Sequence, residues 1–566
     1  MSKQRKPLGV NDPLRHADHP RPVSRRDFLR QGFVSGSGAV LTGGAFGLFS
    51  NPREAYAAVS SDLDALATDI NTRINCTVGG LTGAGKIPFI CFDLAGGANF
   101  AGSNVVVGQA GGQSEPLSTA GYSKMGLPGD IIPGLSDTNV AATMLNPSDG
   151  DFTNSQLGLK FHSDSAMLFG ILEKFISVQA GAAGKVEGAV IPARSGNDTS
   201  NNIHNPLYGI AQAGAVGDVV TLIGSRNTES GGNSLAPPNL INPEIRPTKV
   251  DRPSDVTGMV DVGDLTSILT TKEDVTAVME AMARITHKKL RLPAVAPNIS
   301  VTDDEVIKDL VQCGYLKAAD LADRFAGREV DPGKDAAIVG PAGIFSQTEF
   351  DGTDRNEFRK TASVMKMVVD GNAGAGSITM GGFDYHTGDR IAGENRDLRA
   401  GRCIGACLEY AARSNMPLMI YVFSDGSVAS NGAIDNSPAG GNNSSGVRLG
   451  GRGKGQWTGD NSSTACSFFL VFNPAGTIAT FPDSGLIDPR QIGYYSAGGS
   501  VVTSATPAAN NVNLLVNTLL ANYMSLNGDR EQFTTTFPNH GLGDFKQYVA
   551  FNPIAPPPPP PAPPTP

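Results

Sequence analysis

Charge is scarce in this chain, and positive charge especially so. Only 17% of its 566 residues are charged, and the formal net charge is −9. Nucleic-acid-binding proteins carry a basic stripe or patch, so we expect no nucleic-acid partner. The acidic balance serves solubility as well as it serves any ligand, and it does not identify a substrate.

Apolar runs long enough to span a bilayer are also missing beyond the N-terminus. A transmembrane helix needs about 20 consecutive apolar residues, and no convincing run of that length follows residue 57. We therefore expect no transmembrane anchor in the mature protein.

The N-terminal segment predicts export. Arg25 and Arg26 in "SRRDFLRQGF" precede a weakly apolar, glycine-rich run that closes with "AYA" at 55–57. This pattern is typical of a twin-arginine (Tat) signal peptide with a small-residue cleavage site. We expect residues 1–57 to be the signal, the Tat machinery to be a partner, and the protein to be periplasmic or extracellular. The alternative, an uncleaved anchor, fits a short run broken by glycines poorly.

Cysteine is too sparse for a disulfide scaffold, since six residues are spread over the mature chain. Cys403 and Cys407 lie four apart on a predicted helix and so share one face. They are either small core residues or a redox pair. Buried free cysteine is common, which favours the core interpretation.

Several short apolar runs alternate with amphipathic patterns. The predicted strands are "KIPFICFDL" (86–94), "FISVQAG" (175–181), "VVTLIGS" (219–225), "SITMGG" (377–382), "PLMIYVFSDG" (417–426) and "FFLVFNP" (468–474). Helical patterns lie between them at 163–175 and 394–414. This alternation predicts an α/β fold with a mostly parallel central sheet flanked by helices.

The chain divides by composition into a domain, an insertion and a tail. We expect one α/β domain over 58–550, with a largely helical insertion or subdomain at 226–376. The Gly/Ser/Asn-rich stretch 426–465 follows a strand directly, and loops of that length are often functional or disordered. Residues 551–566 form a proline-rich tail, typical of an extended spacer.

Acidic residues recur where predicted strands end. Asp93 closes one strand, Asp384 and His386 follow a second in "ITMGGFDYHTGD", and Asp425 follows a third. Ligands of open parallel sheets bind at the carboxyl ends of the strands. Three carboxylates there repel one another unless a cation joins them, and carboxylate oxygen with imidazole nitrogen suits Zn²⁺, Mn²⁺ or Fe. Each residue taken singly is also an ordinary turn or capping residue.

The motifs resemble the DUF1501 family of exported bacterial proteins, which is related in fold to the alkaline phosphatase/sulfatase superfamily. The resemblance rests on "FICFDLAGGANFAGSN", on "GGFDYHTGDR" and on "MIYVFSDGS", and it extends in order over roughly residues 85–525. It implies an alkaline phosphatase-like fold in which divalent cations at the strand ends activate a nucleophile or a water.

Carried over to this chain, the resemblance implies that Asp93, Asp384, His386 and Asp425 are metal ligands. It makes Ser103 a weak candidate nucleophile, for which a turn or helix-capping role is the alternative. The family often has a further histidine after the last acidic strand. This chain has none between His386 and His540, and Asp460 or Trp457 stands in the corresponding loop. His204 lies where relatives have a Ser-His motif, so it is a candidate to line the pocket.

Two functions remain open from the sequence. One is a metal-dependent phosphate or sulfate ester hydrolase acting outside the cytoplasm. The other is a catalytically degenerate exported protein on the same fold, which binds a cell-envelope polymer or protein partner. Fold alone does not decide between them.

Overall fold

A computed structural model describes most of the chain after residue 59. It covers residues 60–74, 76, 85–138, 144–182, 184–196, 202–260, 269, 271–290, 301–325, 329–352, 356–386, 390–436, 447–451 and 453–554. The predicted signal peptide and most of the proline-rich tail lie outside these residues. Within them, no helix combines the length and the apolar character that crossing a membrane requires.

A seven-stranded mixed sheet forms the centre of the protein. The strands of the described chain are β1 (Phe89–Ala95), β2 (Thr153–Leu157), β3 (Leu159–His162), β4 (Val186–Pro192), β5 (Val220–Gly224), β6 (Thr248–Lys249), β7 (Ala373–Gly381), β8 (Leu418–Phe423), β9 (Val428–Ala429), β10 (Gly459–Asp460) and β11 (Cys466–Phe472). The sheet order is β4-β11-β8-β1-β7-β5-β6, and β11 runs antiparallel to both of its neighbours. The prediction of an α/β fold with a mostly parallel sheet is confirmed at this level.

Helices cover both faces of this sheet. Their bounds are α1 (Ser61–Ile74), α2 (Thr119–Lys124), α3 (Ala166–Lys174), α4 (Leu207–Gln212), α5 (Pro253–Val260), α6 (Lys272–Leu290), α7 (Val301–Phe325), α8 (Gln347–Asp351), α9 (Glu357–Val369), α10 (Arg390–Arg413), α11 (Val512–Leu526) and α12 (Phe533–Thr536). Helices α3, α9 and α10 contribute to the core on one face, and α4 and α11 contribute to the core on the other.

The central strands are apolar throughout because both of their faces are buried. In β1, Ile90 and Phe92 join one core, whereas Phe89 and Cys91 join the opposite one. This alternation follows from the two-residue period of a strand. It also explains why the run appears continuously hydrophobic in the sequence instead of alternating.

Helices α1, α6 and α7 form a satellite unit with its own small hydrophobic core. A disulfide joins Cys76, just after α1, to Cys313 in α7. Arg73 and Arg284 add ion pairs between the helices, to Asp309 and Asp62. Helices α6 and α7 lie in the segment 226–376, for which the sequence predicted a largely helical insertion, but it did not predict that the N-terminal helix packs against them. In contrast, α9 at the end of the 226–376 segment packs on β7 of the main sheet.

One strand prediction is wrong. Residues 175–181 form a short 3₁₀ turn, Ile176–Val178, after α3, and the edge strand of the sheet begins later, at Val186. Phe175 and Val178 are buried while Ile176 is 51% exposed. Burial three residues apart matches one helical turn, so the apolar run does not have the pattern of a strand.

The core interpretation of Cys403 and Cys407 is confirmed. Both side chains are fully buried on α10, and neither forms a disulfide. Burial raises the pKa of both thiols, which keeps them protonated.

Candidate metal centre at the carboxyl edge of the sheet

The three acid-bearing strands are neighbours in the sheet. Strand β1 lies between β7 and β8, and Asp93 is in register with Thr379 on one side and Phe423 on the other. All three strands run parallel, so their carboxyl ends share one edge. Asp93, Asp384, His386 and Asp425 therefore all belong to that edge or to the loops directly after it.

The loop after β7 divides its side chains between core and solvent. Phe383 and Tyr385 are buried, whereas the Asp384 and His386 side chains are 50% and 33% exposed. The Tyr385 hydroxyl accepts a hydrogen bond from the Asn99 backbone N–H at 2.7 Å. An extended segment alternates its side chains in this way, so anchoring Tyr385 presents its two polar neighbours outward together.

Asp384 and His386 meet a third group, Asp460. His386 Nε2 lies 2.7 Å from an Asp384 carboxylate oxygen and 3.7 Å from an Asp460 carboxylate oxygen. One ligand atom from each residue lies within 4.8 Å of the others. The β9–β10 pairing, in which Asp460 is opposite Val428, brings this residue next to the segment that follows β8.

This spacing fits a divalent cation. Zinc–ligand distances of about 2.1 Å place tetrahedral ligands about 3.4 Å apart. The observed separations bracket that value, so shifts of less than about 1 Å would seat a cation among the three groups. Three protein ligands also leave a fourth tetrahedral position open for water, as in catalytic zinc sites, and both imidazole nitrogen and carboxylate oxygen are zinc ligands.

Asp93 and Asp425 occupy a separate, buried position behind this cluster. Both side chains are almost completely inaccessible to solvent. Asp425 accepts a hydrogen bond from the Gly96 N–H at 2.8 Å, and Asn233 Nδ2 approaches its other carboxylate oxygen at 3.4 Å. The structure thus groups Asp384 and His386 with Asp460, and it does not include Asp93 or Asp425 in that triad of ligand atoms.

Hydrogen bonds from the loop after β5 compensate the buried charge of Asp93. Its Oδ2 accepts hydrogen bonds from the N–H groups of Asn233 and Ser234 at 2.6 and 2.8 Å. Burial and, to a smaller extent, nearby Asp425 raise the pKa of Asp93, these N–H donors oppose the shift, and the resulting pKa is about 6. A Cβ on Gly232 would lie 2.7 Å from the same oxygen, so the loop approaches closely only with glycine there. Backbone N–H donors therefore compensate the negative charge of Asp93, for which the sequence predicted a cation.

The serine residues near this edge hold the backbone. Ser103 Oγ is buried, donates to the Met125 carbonyl at 2.6 Å and accepts from Arg390 at 3.1 Å. Ser424 Oγ accepts from the N–H groups of Gly97 and Ala98 and so holds the turn after β1. The Ser103 hydroxyl is thus engaged in positioning its loop, which corresponds to the turn role that was the alternative to a nucleophile.

A buried serine–histidine pair lies at the same edge. Ser195 Oγ is 2.8 Å from His204 Nε2 and 3.0 Å from the Asp425 carbonyl oxygen, to which it donates. Because the Ser195 hydroxyl donates to that carbonyl, Nε2 of His204 is the donor to Ser195. Nδ1 is then an acceptor, and it has no partner among the described residues. Burial lowers the pKa of His204 to about 3. The neutral ring positions Ser195 and does not activate it.

Asp460 was named from the sequence only as a substitute for a missing histidine, together with Trp457. The structure separates the two. Trp457 is buried, and the Arg390 guanidinium stacks over its ring at 4.6 Å. Asp460 instead lies with Asp384 and His386 in the cluster of candidate ligand atoms.

Comparison of the chain with known protein families, with curated proteins and with solved structures found no match. The DUF1501 resemblance consequently stays a prediction based on the motifs quoted above.

The loop anchor gives a first testable expectation. Tyr385→Phe removes the acceptor of the buried Asn99 N–H, and we expect it to lower the free energy of unfolding by about 1–3 kcal/mol. Urea denaturation followed by circular dichroism measures this. Tyr548→Phe is the control, since its half-buried hydroxyl makes no hydrogen bond to the rest of the described chain. Equal stability of both variants would show that the hydroxyl does not hold the loop.

Proposed function

We propose that this is an exported metal-dependent hydrolase of phosphate or sulfate esters, built on an alkaline phosphatase-like α/β fold. The observation that supports this proposal is the triad of Asp384, His386 and Asp460 at the carboxyl edge of the sheet. Export through the Tat pathway to the periplasm or beyond belongs to the same proposal.

In this proposal the triad holds the cation, either Zn²⁺ or Mn²⁺. A cation held by these three residues would lower the pKa of a coordinated water and polarise an ester oxygen. Asp93 and Asp425 have a positioning role, because their oxygens already accept hydrogen bonds from Asn233, Ser234 and Gly96. Asp425 fixes the turn after β1, and Asp93 fixes the loop after β5.

A second candidate is a non-catalytic binding protein for an envelope polymer or protein. The engaged hydroxyl of Ser103 favours it, because the serine expected as nucleophile holds a loop instead. The metal-dependent route needs no serine nucleophile, which is why we place hydrolysis first.

Metal binding tests the proposal directly. We expect chelator-treated protein to bind one equivalent of Zn²⁺ or Mn²⁺ and to melt at a higher temperature with the ion present. At an ion concentration 100 times Kd, binding stabilises the folded state by about 2.7 kcal/mol. Elemental analysis after gel filtration and differential scanning fluorimetry measure both effects.

Substitutions test whether the metal ion binds to the triad and not to carboxylates elsewhere on the protein. His386→Ala and Asp460→Asn should each abolish the metal-induced shift, whereas Asp483→Asn, which removes an exposed carboxylate elsewhere, should leave it unchanged. Hydrolysis of p-nitrophenyl phosphate and p-nitrophenyl sulfate by the loaded protein then decides between enzyme and binding protein. Wild type that binds no ion would rule out the metal centre.

A further inference from the structure

A cleft lies at the same edge of the sheet as the candidate metal centre, beside the end of β7. It has a volume of about 790 Å³ and is lined by residues at the ends of β5, β6 and β7 and at the start of α9. Gly381, the last residue of β7, is part of its wall, and Asp384 follows three residues later. Ligand-binding clefts of proteins have volumes of about 300–1,000 Å³.

Basic side chains dominate this cleft. Its wall contains two acidic residues, Asp251 and Glu357, and five basic ones, Arg226, Lys249, Arg252, Arg359 and Lys360. The chain as a whole has a net charge of −9. A concentration of cations in a concave site of an acidic protein attracts anions to it.

Most of these cations have acidic partners. Lys360 is largely buried against Glu357, whereas the pairs of Lys249 and Arg252 are exposed and therefore weak. Lys249 pairs with Asp251 at 2.7 Å and Arg252 with Asp255 at 3.2 Å, and the Lys249 and Arg252 side chains are 39% and 64% exposed. Exposed ion pairs contribute about 0–1 kcal/mol, so exchanging a carboxylate for a ligand anion costs little. The exposed Arg226 differs, because its side chain contacts only the Asn233 amide oxygen, at 3.4 Å, among the described residues.

Two further groups of the cleft lack hydrogen-bond partners within the described part of the chain. Asn356 occupies the N-cap of α9, but its side chain makes no capping hydrogen bond. A helix N-terminus carries partial positive charge and N–H donors. Thr379 is 2% exposed, and its Oγ1 has no partner. Buried polar groups are nearly always hydrogen-bonded, so this hydroxyl independently indicates a missing ligand or water.

We infer that this cleft binds a ligand carrying two or more oxyanion charges, as phosphoryl or sulfuryl groups. Several cations spaced around one wall fit a multiply charged ligand better than a single small anion. The loop that contributes Arg226 also supplies Asn233, which contacts both Asp93 and Asp425. A bound anion therefore lies against the structure that supports the candidate metal centre.

The inference names the substrate class of the proposed hydrolase, and to that extent it rests on the proposed function. Binding itself needs neither cation nor turnover. Anion binding is therefore measured on chelator-treated protein. Its result is independent of whether the triad binds a metal, so either proposal can be rejected without rejecting the other.

Isothermal titration calorimetry with two non-hydrolysable probes tests it. Methylenediphosphonate and methanedisulfonate carry two oxyanion groups at similar spacing, and inorganic phosphate and sulfate are their single-group counterparts. We expect one site that binds a two-group probe at least about tenfold more tightly than its single-group counterpart, with affinity falling as salt increases. Preference for the diphosphonate identifies a phosphorylated ligand, and preference for the disulfonate a sulfated one.

The double variant Arg226→Gln/Arg252→Gln should weaken binding of the preferred probe by at least about tenfold, since it removes two cations that would donate hydrogen bonds to the oxyanion groups. Arg246→Gln is the matched control. Arg246 is 48% exposed and paired with Glu229, outside the cleft wall, so its loss should leave affinity unchanged. Saturable binding of neither two-group probe, or equal weakening by the double variant and the control, would overturn the inference.

Discussion

Gly96→Ala is expected to weaken metal binding at the candidate centre and to lower the free energy of unfolding by about 2–5 kcal/mol. Gly96 has φ +125°, a conformation that side chains rarely adopt. A Cβ there would lie 2.3 Å from the backbone nitrogen of Asp384, so the loop that carries Asp384 and His386 has to move. Backbone strain of about 1–2 kcal/mol adds to an overpacking cost of about 1–3 kcal/mol.

The effect on function follows from the same contact. The N–H of Gly96 donates to Asp425, and its Cα faces the Asp384 backbone. A displaced Gly96 thus disturbs the buried carboxylate pair and the exposed triad together. We expect metal affinity to fall by at least tenfold, to be measured by calorimetry on folded protein below the denaturation midpoint.

Gly371→Ala is the matched control for this variant. Gly371 also has positive φ, +78°, but no atom lies within 4 Å of an added Cβ. Gly371→Ala should lower the free energy of unfolding only by the backbone strain, about 1 kcal/mol, and should leave metal affinity unchanged. If Gly96→Ala were no more harmful than Gly371→Ala, the close approach between Gly96 and Asp384 would be wrong.

The strands that build the site could be predicted from the sequence because both of their faces are buried. A doubly buried strand gives a continuous apolar run, and β1, β7 and β8 were each located within a few residues from that signal. Asp384 and His386 followed, since a polar pair directly after such a run lies at the strand end. The same signal misled at 175–181, where an apolar run ends a helix.

The contacts that complete the site could not be predicted from the sequence, because they join segments that are far apart in the chain. The loop at 232–234 hydrogen-bonds Asp93, about 140 residues earlier in the chain. Asp460 reaches His386 through a two-residue strand pairing that carries no periodic signal. The Cys76–Cys313 disulfide has a separation of 237 residues, and cysteine spacing alone does not specify such a pairing.

Two buried carboxylates one turn apart on α10 should respond to pH in opposite directions. Burial alone would raise the pKa of Glu394, but Lys454 and Arg390 outweigh it and lower this pKa to about 2. Asp397 lies among Asn104, Tyr385 and Glu394, and burial raises its pKa to about 7. Arg390, the nearest compensating cation for Asp397, is already paired with Glu394 at 2.8 Å.

The direction of each effect on stability follows from comparing the pKa in the folded protein with the ordinary pKa, which is 4.5 for Glu394 and 3.8 for Asp397. The Glu394 carboxylate stabilises the fold above about pH 4.5, and this stability is lost as pH falls through 2. The Asp397 charge costs nothing below about pH 4, and its cost becomes complete as pH rises through 7. At pH 8, therefore, one carboxylate stabilises the protein and the other destabilises it.

Replacing each carboxylate by its neutral amide should reveal the opposite contributions of Glu394 and Asp397 to stability. Glu394→Gln is expected to lower the free energy of unfolding at pH 8 by about 3–5 kcal/mol, because it breaks a buried ion pair. Asp397→Asn is expected to raise it there by about 3 kcal/mol, because the raised pKa corresponds to a cost of about 4 kcal/mol and a weakened hydrogen bond takes back about 1 kcal/mol. At pH 4 the gain from Asp397→Asn should disappear. Urea denaturation at both pH values measures the two differences, and a gain that persists at pH 4 would contradict the raised pKa.

The pair also links stability to the candidate site. Glu394 accepts a hydrogen bond from the Gly450 N–H at 2.6 Å and pairs with Lys454, so it holds the loop that leads to Asp460. Glu394→Gln should therefore weaken metal binding as well as folding. Asp397→Asn leaves that loop attached and should preserve metal affinity while stabilising the protein. Loss of affinity in both variants would show that the triad depends on α10 as a whole and not on the Glu394 contacts.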